Sequence, residues 1–324
     1  MELSFPRPVL VVSRCLEFAP CRWNGLSIAS ETVARLKPYV NFIPVCPEVE
    51  IGLGTPREPI RLIKDSGDIR LFQSATGRDL TGVMRDFSET FLRSLPDVDG
   101  CILKDRSPSC GDKDVKIYPG PGKVAALQEK GSGLFAEAIL GNRPDWVLEN
   151  EGRLNNFTIR EYFYTRLFTL AAFRKMSRQP QMKNLVAFHA ENKLLLMAYN
   201  QTLMRALGRI TANHDQLSPE TVFREYRNLL GRVLGKPART GAHINVLMHA
   251  LGYFSKRLTP GERSHFLALL ENLRNKTIPL SACLTVMTSW ITRFEEPYLA
   301  GQRYFSPYPP ALIEISDSGK GRNR

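Results

Sequence analysis

Three of the six cysteines in this 324-residue chain stand at matching places in the predicted fold. Cys15, Cys46 and Cys110 each lie shortly after a short apolar run that is typical of a buried parallel β-strand. The carboxyl ends of parallel strands meet at one edge of an open α/β sheet, so residues far apart in sequence can share a site there. Three thiolates suit an iron–sulfur cluster or zinc, and the topology alone leaves three buried apolar cysteines as an equal alternative.

The other three cysteines have different predicted surroundings. Cys101 lies inside a predicted strand and Cys283 lies on an apolar helical stripe, so both are predicted to be core residues. Cys21 is close enough to Cys15 in sequence to share its site, either as a neighbouring thiol or as an alternative ligand.

The elements that must position these cysteines form an alternating pattern, as in βαβ units. Strands are predicted at residues 9–12, 41–45 and 101–103, and helices at 27–36, 86–95 and 124–129. Residues 55–82 are rich in glycine, proline and charged residues, which indicates a long surface segment that contains a hairpin.

The second half has long amphipathic segments without strand signals. Ser218-Pro219 and the capping-box spacing of Thr259 to Glu262 each predict the start of a helix. We therefore predict an α/β domain with a mainly parallel sheet over residues 1–148 and a connecting segment over 149–184. An all-α domain over 185–308 and a flexible tail over 309–324 complete the predicted organisation.

The net charge of +12 is concentrated in one half of the chain. Residues 1–150 hold 19 Lys and Arg against 20 Asp and Glu, whereas residues 151–324 hold 25 against 12. An excess confined to one domain favours a polyanionic partner, with RNA, DNA and an anionic membrane surface all possible. The absence of a long apolar run and of a leader-like start predicts a cytoplasmic protein with reduced thiols.

The cysteines lie in blocks that resemble the thiouracil desulfidase family over about the first 145 residues. The segment around residues 188–193, Phe-His-Ala-Glu-Asn-Lys, resembles the YbgA-like helical domain. Together they are similar to two-domain bacterial desulfidases that remove sulfur from 4-thiouridine in tRNA. The blocks that carry the first resemblance are Ser13-Arg14-Cys15-Leu16, Arg22-Trp23-Asn24-Gly25, Pro44-Val45-Cys46-Pro47-Glu48, Gly52-Leu53-Gly54-Thr55-Pro56-Arg57 and Lys104-Asp105-Arg106-Ser107-Pro108-Ser109-Cys110-Gly111.

The resemblance implies a [4Fe-4S] cluster on Cys15, Cys46 and Cys110, with one iron open to the thiocarbonyl sulfur of the substrate. It also implies working roles for Glu48 and Ser107 in a hydrolysis that moves no net electrons. Glu48 would take a proton from water, which requires a carboxylate near the cluster, and Ser107 would bind the base or shuttle a proton. Trp23 stands where the family usually has tyrosine, and either ring can stack on a base.

The predicted partner is tRNA, held by the basic helical domain through dispersed cations. Two other functions remain open at this point: desulfuration of free thiouracil or thionucleosides, and a non-enzymatic iron–sulfur sensor that binds nucleic acid. The sequence does not identify the RNA-binding face, and the candidate contacts are Lys183, Lys193, Arg224, Arg227 and Arg232.

Overall fold

A computed structural model describes residues 4–315. Of the flexible tail predicted over residues 309–324, residues 316–324 lie outside this range. Within the described residues the chain divides into two compact units. The α/β unit contains residues 7–167 and 311–315, and the helical unit contains residues 4–6 and 168–310. The predicted fold class, an α/β domain with a parallel sheet followed by an all-α domain, is confirmed.

As far as the structure describes it, the α/β unit has nine strands and four α-helices before the long helix that ends it. The strands are β1 (Val9–Ser13), β2 (Asn41–Val45), β3 (Arg61–Asp65), β4 (Asp68–Gln73), β5 (Arg78–Asp79), β6 (Gly100–Leu103), β7 (Val115–Tyr118), β8 (Lys130–Gly131) and β9 (Val147–Asn150). The helices are α1 (Glu31–Leu36), α2 (Pro47–Glu50), α3 (Thr81–Ser94) and α4 (Leu134–Asn142).

Four parallel strands form the sheet that positions the cysteines, in the order β2-β1-β6-β9. Leu10, Val11 and Val12 of β1 are fully buried, because β1 lies between two neighbours inside this sheet. β1 pairs with β2 from Val9 opposite Asn41, and with β6 from Leu10 opposite Gly100. The strand ends that precede Cys15, Cys46 and Cys110 therefore lie side by side, as predicted.

A second, mixed sheet has the order β5-β4-β3-β7-β8. β3 and β4 form the predicted hairpin, which turns at Ser66 and Gly67, both with positive φ. The core of this unit includes Phe135 of α4, which packs against Phe87 and Phe91 of α3.

The helix predicted at residues 124–129 is wrong. This segment is irregular and runs beside β7, where the Leu127 amide donates to the Ile117 carbonyl over 2.8 Å. It follows Gly120, Pro121 and Gly122, and it leads directly into β8. Its backbone is therefore held along a strand, and the helix of this region, α4, begins later at Leu134.

Seven α-helices of varied length follow in the part of the chain that the structure describes. They are α5 (Phe157–Ser177), α6 (Met182–Ala212), α7 (Pro219–Val233), α8 (Thr240–Gly252), α9 (Pro260–Arg274), α10 (Leu280–Arg293) and α11 (Pro297–Ala300). Ser218 caps α7 and Thr259 forms the capping box with Glu262 at α9, as predicted. α6 contains a kink at Asn200, whose φ and ψ are −162° and 100°. The apolar faces of these helices enclose a core that includes Phe173, Tyr226 and Trp290.

Candidate active site

The three predicted cluster cysteines face one cavity of about 380 Å³ at the carboxyl edge of the parallel sheet. Cys15 lies in the turn after β1, Cys46 precedes α2 directly after β2, and Cys110 lies in the loop after β6. All three are buried and form no disulfide. The fold therefore brings together three thiols that are far apart in sequence.

Burial and mutual repulsion disfavour the thiolate forms of these residues. Burial raises the pKa of Cys15 to about 12, and the nearby Cys110 and Cys46 contribute to that rise. Burial also raises the pKa of Cys110 to about 12, partly opposed by hydrogen bonds from Ser13 and Ser109. A group that binds these thiols as thiolates must displace their protons, so binding would be favoured by higher pH.

Cys21 lines the same cavity and is hydrogen-bonded to Cys46. This bond lowers the pKa of the Cys21 thiol to about 7 and raises that of Cys46. Cys101 is fully buried in β6 and Cys283 is fully buried in α10, and neither lines the cavity. The predicted core positions of these two residues match their surroundings.

Glu48 reaches the cavity from the first turn of α2. Arg57 donates to the Glu48 Oε2 atom from Nε over 2.8 Å and from Nη2 over 2.7 Å. The Arg57 side chain is only 4% exposed and that of Glu48 12%, so solvent screens this pair weakly. Arg57 Nη1 also donates to the carbonyls of Cys21 and Gly54 over 3.0 and 2.9 Å. The guanidinium thus fixes the carboxylate to the loops that carry two of the thiols.

Ser109 connects Ser107 to the same carboxylate. The Ser109 hydroxyl donates to Glu48 Oε1 over 2.6 Å, and the two serine hydroxyls are 3.0 Å apart. Ser107 Oγ accepts from the amides of Ser109 and Cys110 over 3.3 and 3.1 Å. Because Ser109 donates to Glu48, the Ser107 hydroxyl donates to Ser109. The Ser107 hydroxyl thus donates to Ser109, and the Ser109 hydroxyl donates to Glu48.

Close backbone packing holds the loop that carries these serines. The Gly133 amide donates to the Gly111 carbonyl over 2.7 Å. A Cβ atom at Gly133 would lie 2.5 Å from the carbonyl carbon and oxygen of Ser109, and 2.7 Å from the Ser107 carbonyl. Only glycine therefore fits at this position without moving the serine loop.

Arg22, Trp23 and Arg106 also line the cavity, and we call these residues the rim. The Trp23 side chain is 47% exposed, and the Arg106 side chain is 76% exposed. Lys104 lines the cavity too, but it pairs with Glu151 and donates to the Asp105 carbonyl.

The donor set is compatible with an iron–sulfur cluster. Residues 4–315 contain no group of three His, Cys, Asp or Glu side chains arranged to hold a single ion. The ligands of a cluster bind different iron atoms, so three thiols spread around one cavity are compatible with it. Cys15, Cys46 and Cys110 would hold such a cluster, and Glu48 would lie beside it.

The helical unit exposes each of the cations predicted to contact RNA. Lys183 and Lys193 lie on α6, Arg224 and Arg227 on α7, and Arg232 in the last turn of α7. Among residues 4–315, no helix combines the length and apolar character that a membrane span requires.

These features define an α/β domain with a thiol-lined pocket, followed by a helical domain. The chain belongs to the 2-thiouracil desulfurase family, whose model matches residues 10–151, and carries a Protein of unknown function (DUF1722) domain over residues 193–309. The two-domain arrangement is thus confirmed.

Two curated proteins and one solved structure are each similar to part of this chain. The uncharacterized protein YbbK of Bacillus subtilis strain 168 is 32% identical over 133 residues, which is 37% of this chain and 88% of YbbK. The uncharacterized protein YbgA of Escherichia coli strain K12 is 30% identical over 156 residues, 48% of this chain and 92% of YbgA. The solved structure of the [4Fe-4S]-dependent thiouracil desulfidase TudS is 27% identical, with a TM-score of 0.34, and covers 46% of this chain and 93% of its own.

Sequence reasoning missed the roles of Arg57 and Ser109. Both stand within blocks that carry the family resemblance, so their positions were marked, but their partners were not. Arg57 follows Cys46 by eleven residues in sequence. Its guanidinium contacts the Cys46 sulfur because the loop after α2 folds back toward that residue. The need of a buried carboxylate for a cation was the one signal available.

Proposed function

We propose that this chain hydrolyses 4-thiouridine in tRNA to uridine and sulfide, using a [4Fe-4S] cluster on Cys15, Cys46 and Cys110. The observation that carries the proposal is the Glu48 carboxylate, which is fixed by Arg57 and Ser109 in the same cavity as the three thiols. Membership of the 2-thiouracil desulfurase family supports the desulfuration chemistry. The tRNA substrate and the cluster are parts of the proposal.

Cys15, Cys46 and Cys110 would hold the cluster, which would supply a Lewis acid for polarising the thiocarbonyl. Glu48 accepts a proton from water as the water oxygen bonds to C4. Ser107 and Ser109 can return a proton along their hydroxyls as the carbon–sulfur bond breaks. One water is consumed and one hydrogen sulfide is released, so no electrons are gained or lost.

The positive charge of the second half supports the tRNA partner. Residues 151–324 carry 25 Lys and Arg against 12 Asp and Glu, and the five predicted contacts are exposed. Cations that bind phosphates release counterions, so affinity for tRNA falls as the salt concentration rises. A free thiobase has no phosphate, and its turnover should respond little to salt.

The test compares 4-thiouridine-containing tRNA with free 4-thiouracil, using the cluster-loaded full chain under anaerobic conditions. We expect turnover of the tRNA, with an affinity that depends steeply on salt. Replacing Arg224, Arg227 and Arg232 together with glutamine should flatten the salt slope by about one unit for each phosphate that is no longer bound. The matched control replaces Arg78, Arg85 and Arg93, which are exposed in the α/β unit. Equal effects of the two triple variants would contradict RNA binding by the helical domain.

The same assay separates an enzyme from an iron–sulfur sensor. Glu48→Ala should retain iron and tRNA binding but lose turnover by a factor on the order of 10² or more, because the base is removed. A chain that binds tRNA and holds the cluster, yet releases no sulfide under any condition, would instead be a sensor.

A further inference from the structure

We propose that the helical unit binds a free guanine nucleoside 5′-monophosphate in a cavity bounded by α5, α6 and the segments 4–6 and 303–307. The cavity has a volume of about 630 Å³, and all the residues that line it belong to the helical unit. Sites for small organic ligands have volumes of this order. The inference goes beyond the proposed desulfuration, which requires nothing from this cavity.

A buried amide lines this cavity with an acceptor that has no partner. Asn192 is only 3% exposed, and its Nδ2 donates to the Phe188 carbonyl over 2.9 Å, which fixes the orientation of the amide. Among residues 4–315, no group donates a hydrogen bond to Asn192 Oδ1. Because buried polar atoms are normally hydrogen-bonded, this oxygen selects a ligand that brings an N–H or O–H donor.

A second acceptor lies next to the first in the chain. The Glu191 carboxylate lines the same cavity, and its Oε2 atom is 3.6 Å from Arg303 Nη2, which is longer than a hydrogen bond. Guanine presents two neighbouring donors on one edge, N1–H and the N2 amino group. Adenine and cytosine each present one amino group, and uracil presents one N–H. A wall with two acceptors therefore favours guanine over the other bases.

The charge of the cavity wall matches a terminal phosphate. Lys175, Arg178 and Arg303 line it, and Glu191 is the one carboxylate among the described lining residues, which leaves two positive charges in excess. A phosphate monoester carries about −1.5 to −2 at pH 7. Lys175 is exposed, and within residues 4–315 it makes no ion pair and no side-chain hydrogen bond. Its ammonium group is therefore available to a phosphate oxygen.

Aromatic rings supply the apolar part of the wall. Phe168 and Phe188 are buried, and Phe5 meets Phe168 edge to face with ring centroids 6.1 Å apart. The Arg303 guanidinium lies 5.3 Å from the centre of the Phe5 ring. A planar base can stack on such rings while its edge reaches the two acceptors.

The wall is held together by hydrogen bonds between α6 and the segment that supplies Arg303. The buried Gln302 side chain donates to the Ala190 carbonyl over 2.8 Å and accepts from the Leu194 amide over 3.0 Å. In a regular helix these two backbone groups bond to each other. The Arg303 amide also donates to the Glu191 carbonyl over 2.9 Å. The turn that carries both acceptors is thus fixed in advance, which lowers the cost of binding a ligand there.

The test is calorimetric titration of the cluster-loaded full chain with GMP, with AMP and guanosine for comparison. We expect GMP to bind about tenfold more tightly than either, because AMP lacks one donor and guanosine lacks the phosphate. Lys175→Gln should raise the Kd of GMP about tenfold, and Glu191→Gln should bring it close to that of AMP. Both side chains are exposed, so neither change should unfold the chain. Lys256→Gln is the matched control, since Lys256 is exposed in the helical unit and lies outside the cavity wall.

Three results would overturn the inference, and none of them depends on sulfide release. The first is the absence of saturable GMP binding up to about 1 mM, and the second is a Kd for GMP that neither Lys175→Gln nor Glu191→Gln changes. The third uses a guanosine-containing single-stranded RNA without a terminal phosphate, which should not displace GMP. Displacement at equal concentration would show that the cavity binds a nucleotide of RNA, and the free nucleotide would be the wrong ligand.

Discussion

Arg57 should control both the local stability of the pocket and the position of the general base. Its hydrogen bonds of 3.0 Å or shorter are two to Glu48 Oε2 and one each to the Cys21 and Gly54 carbonyls. Lysine keeps the charge but cannot reproduce the planar fork, so Arg57→Lys should lose at least one charge-assisted bond, about 1.5–3 kcal/mol. Arg57→Met leaves Glu48 buried without its cation, which should cost about 3–5 kcal/mol.

Hydrogen–deuterium exchange of the loop amides measures this loss directly, and it does not require the two domains to unfold as one unit. We expect the amides of residues 46–57 to be most protected from exchange in the unchanged chain, less protected in Arg57→Lys and least protected in Arg57→Met. The double variant Glu48→Gln with Arg57→Met should recover part of the loss, because the unpaired charge is gone. Turnover of Arg57→Lys should fall by a factor of about 10², since a small displacement of the base is costly.

Two results would refute this reasoning. Protection in Arg57→Met equal to that of the unchanged chain would show that the pair contributes no stability. Additive losses in the double variant would show that Glu48 and Arg57 act independently, despite the 2.7 Å that separates their charged atoms.

Two further predictions concern the cysteines and His243. Serine at Cys15, Cys46 or Cys110 should abolish the brown absorbance near 400 nm of the anaerobic protein. Serine at Cys101 or Cys283 should leave this absorbance unchanged. Full iron retention in Cys46→Ser would contradict the assignment of Cys46 as a ligand. Burial lowers the pKa of His243 from 6.5 to about 4, so the unfolded chain binds the proton first. Stability is therefore complete above pH 6.5 and falls by about 3 kcal/mol as the pH drops to 4. The melting temperature of His243→Gln should lack this part of the pH dependence. A pH dependence equal to that of the unchanged chain would contradict the prediction.

The cysteine site could be predicted because its signal is topological. Each cysteine follows an apolar run, and parallel strands bring such ends together without any knowledge of the loops. The helix capping residues Ser218 and Thr259 were predictable for a related reason, since their partners lie only three residues away.

The parts that failed depend on interactions between distant segments. Residues 124–129 have helical composition but lie along β7, so tertiary interactions outweigh local propensity. Arg57 and Ser109 acquire their roles only when two loops meet at Glu48, which no spacing in the sequence reveals. Lys104 has the same charge as the rim arginines, but its ammonium group forms an ion pair with Glu151.

The central claim is that Glu48 directs water onto C4 of a thiolated uridine while the three cysteines hold the cluster. The most direct measurement is turnover of 4-thiouridine-containing tRNA in ¹⁸O-labelled water, with mass analysis of the uridine and assay of sulfide. We predict one labelled oxygen at C4 for each sulfide released, and loss of both products in a Glu48→Ala chain that keeps its iron. Sulfide release without labelled uridine, or normal labelling in the iron-loaded Glu48→Ala chain, would contradict the account.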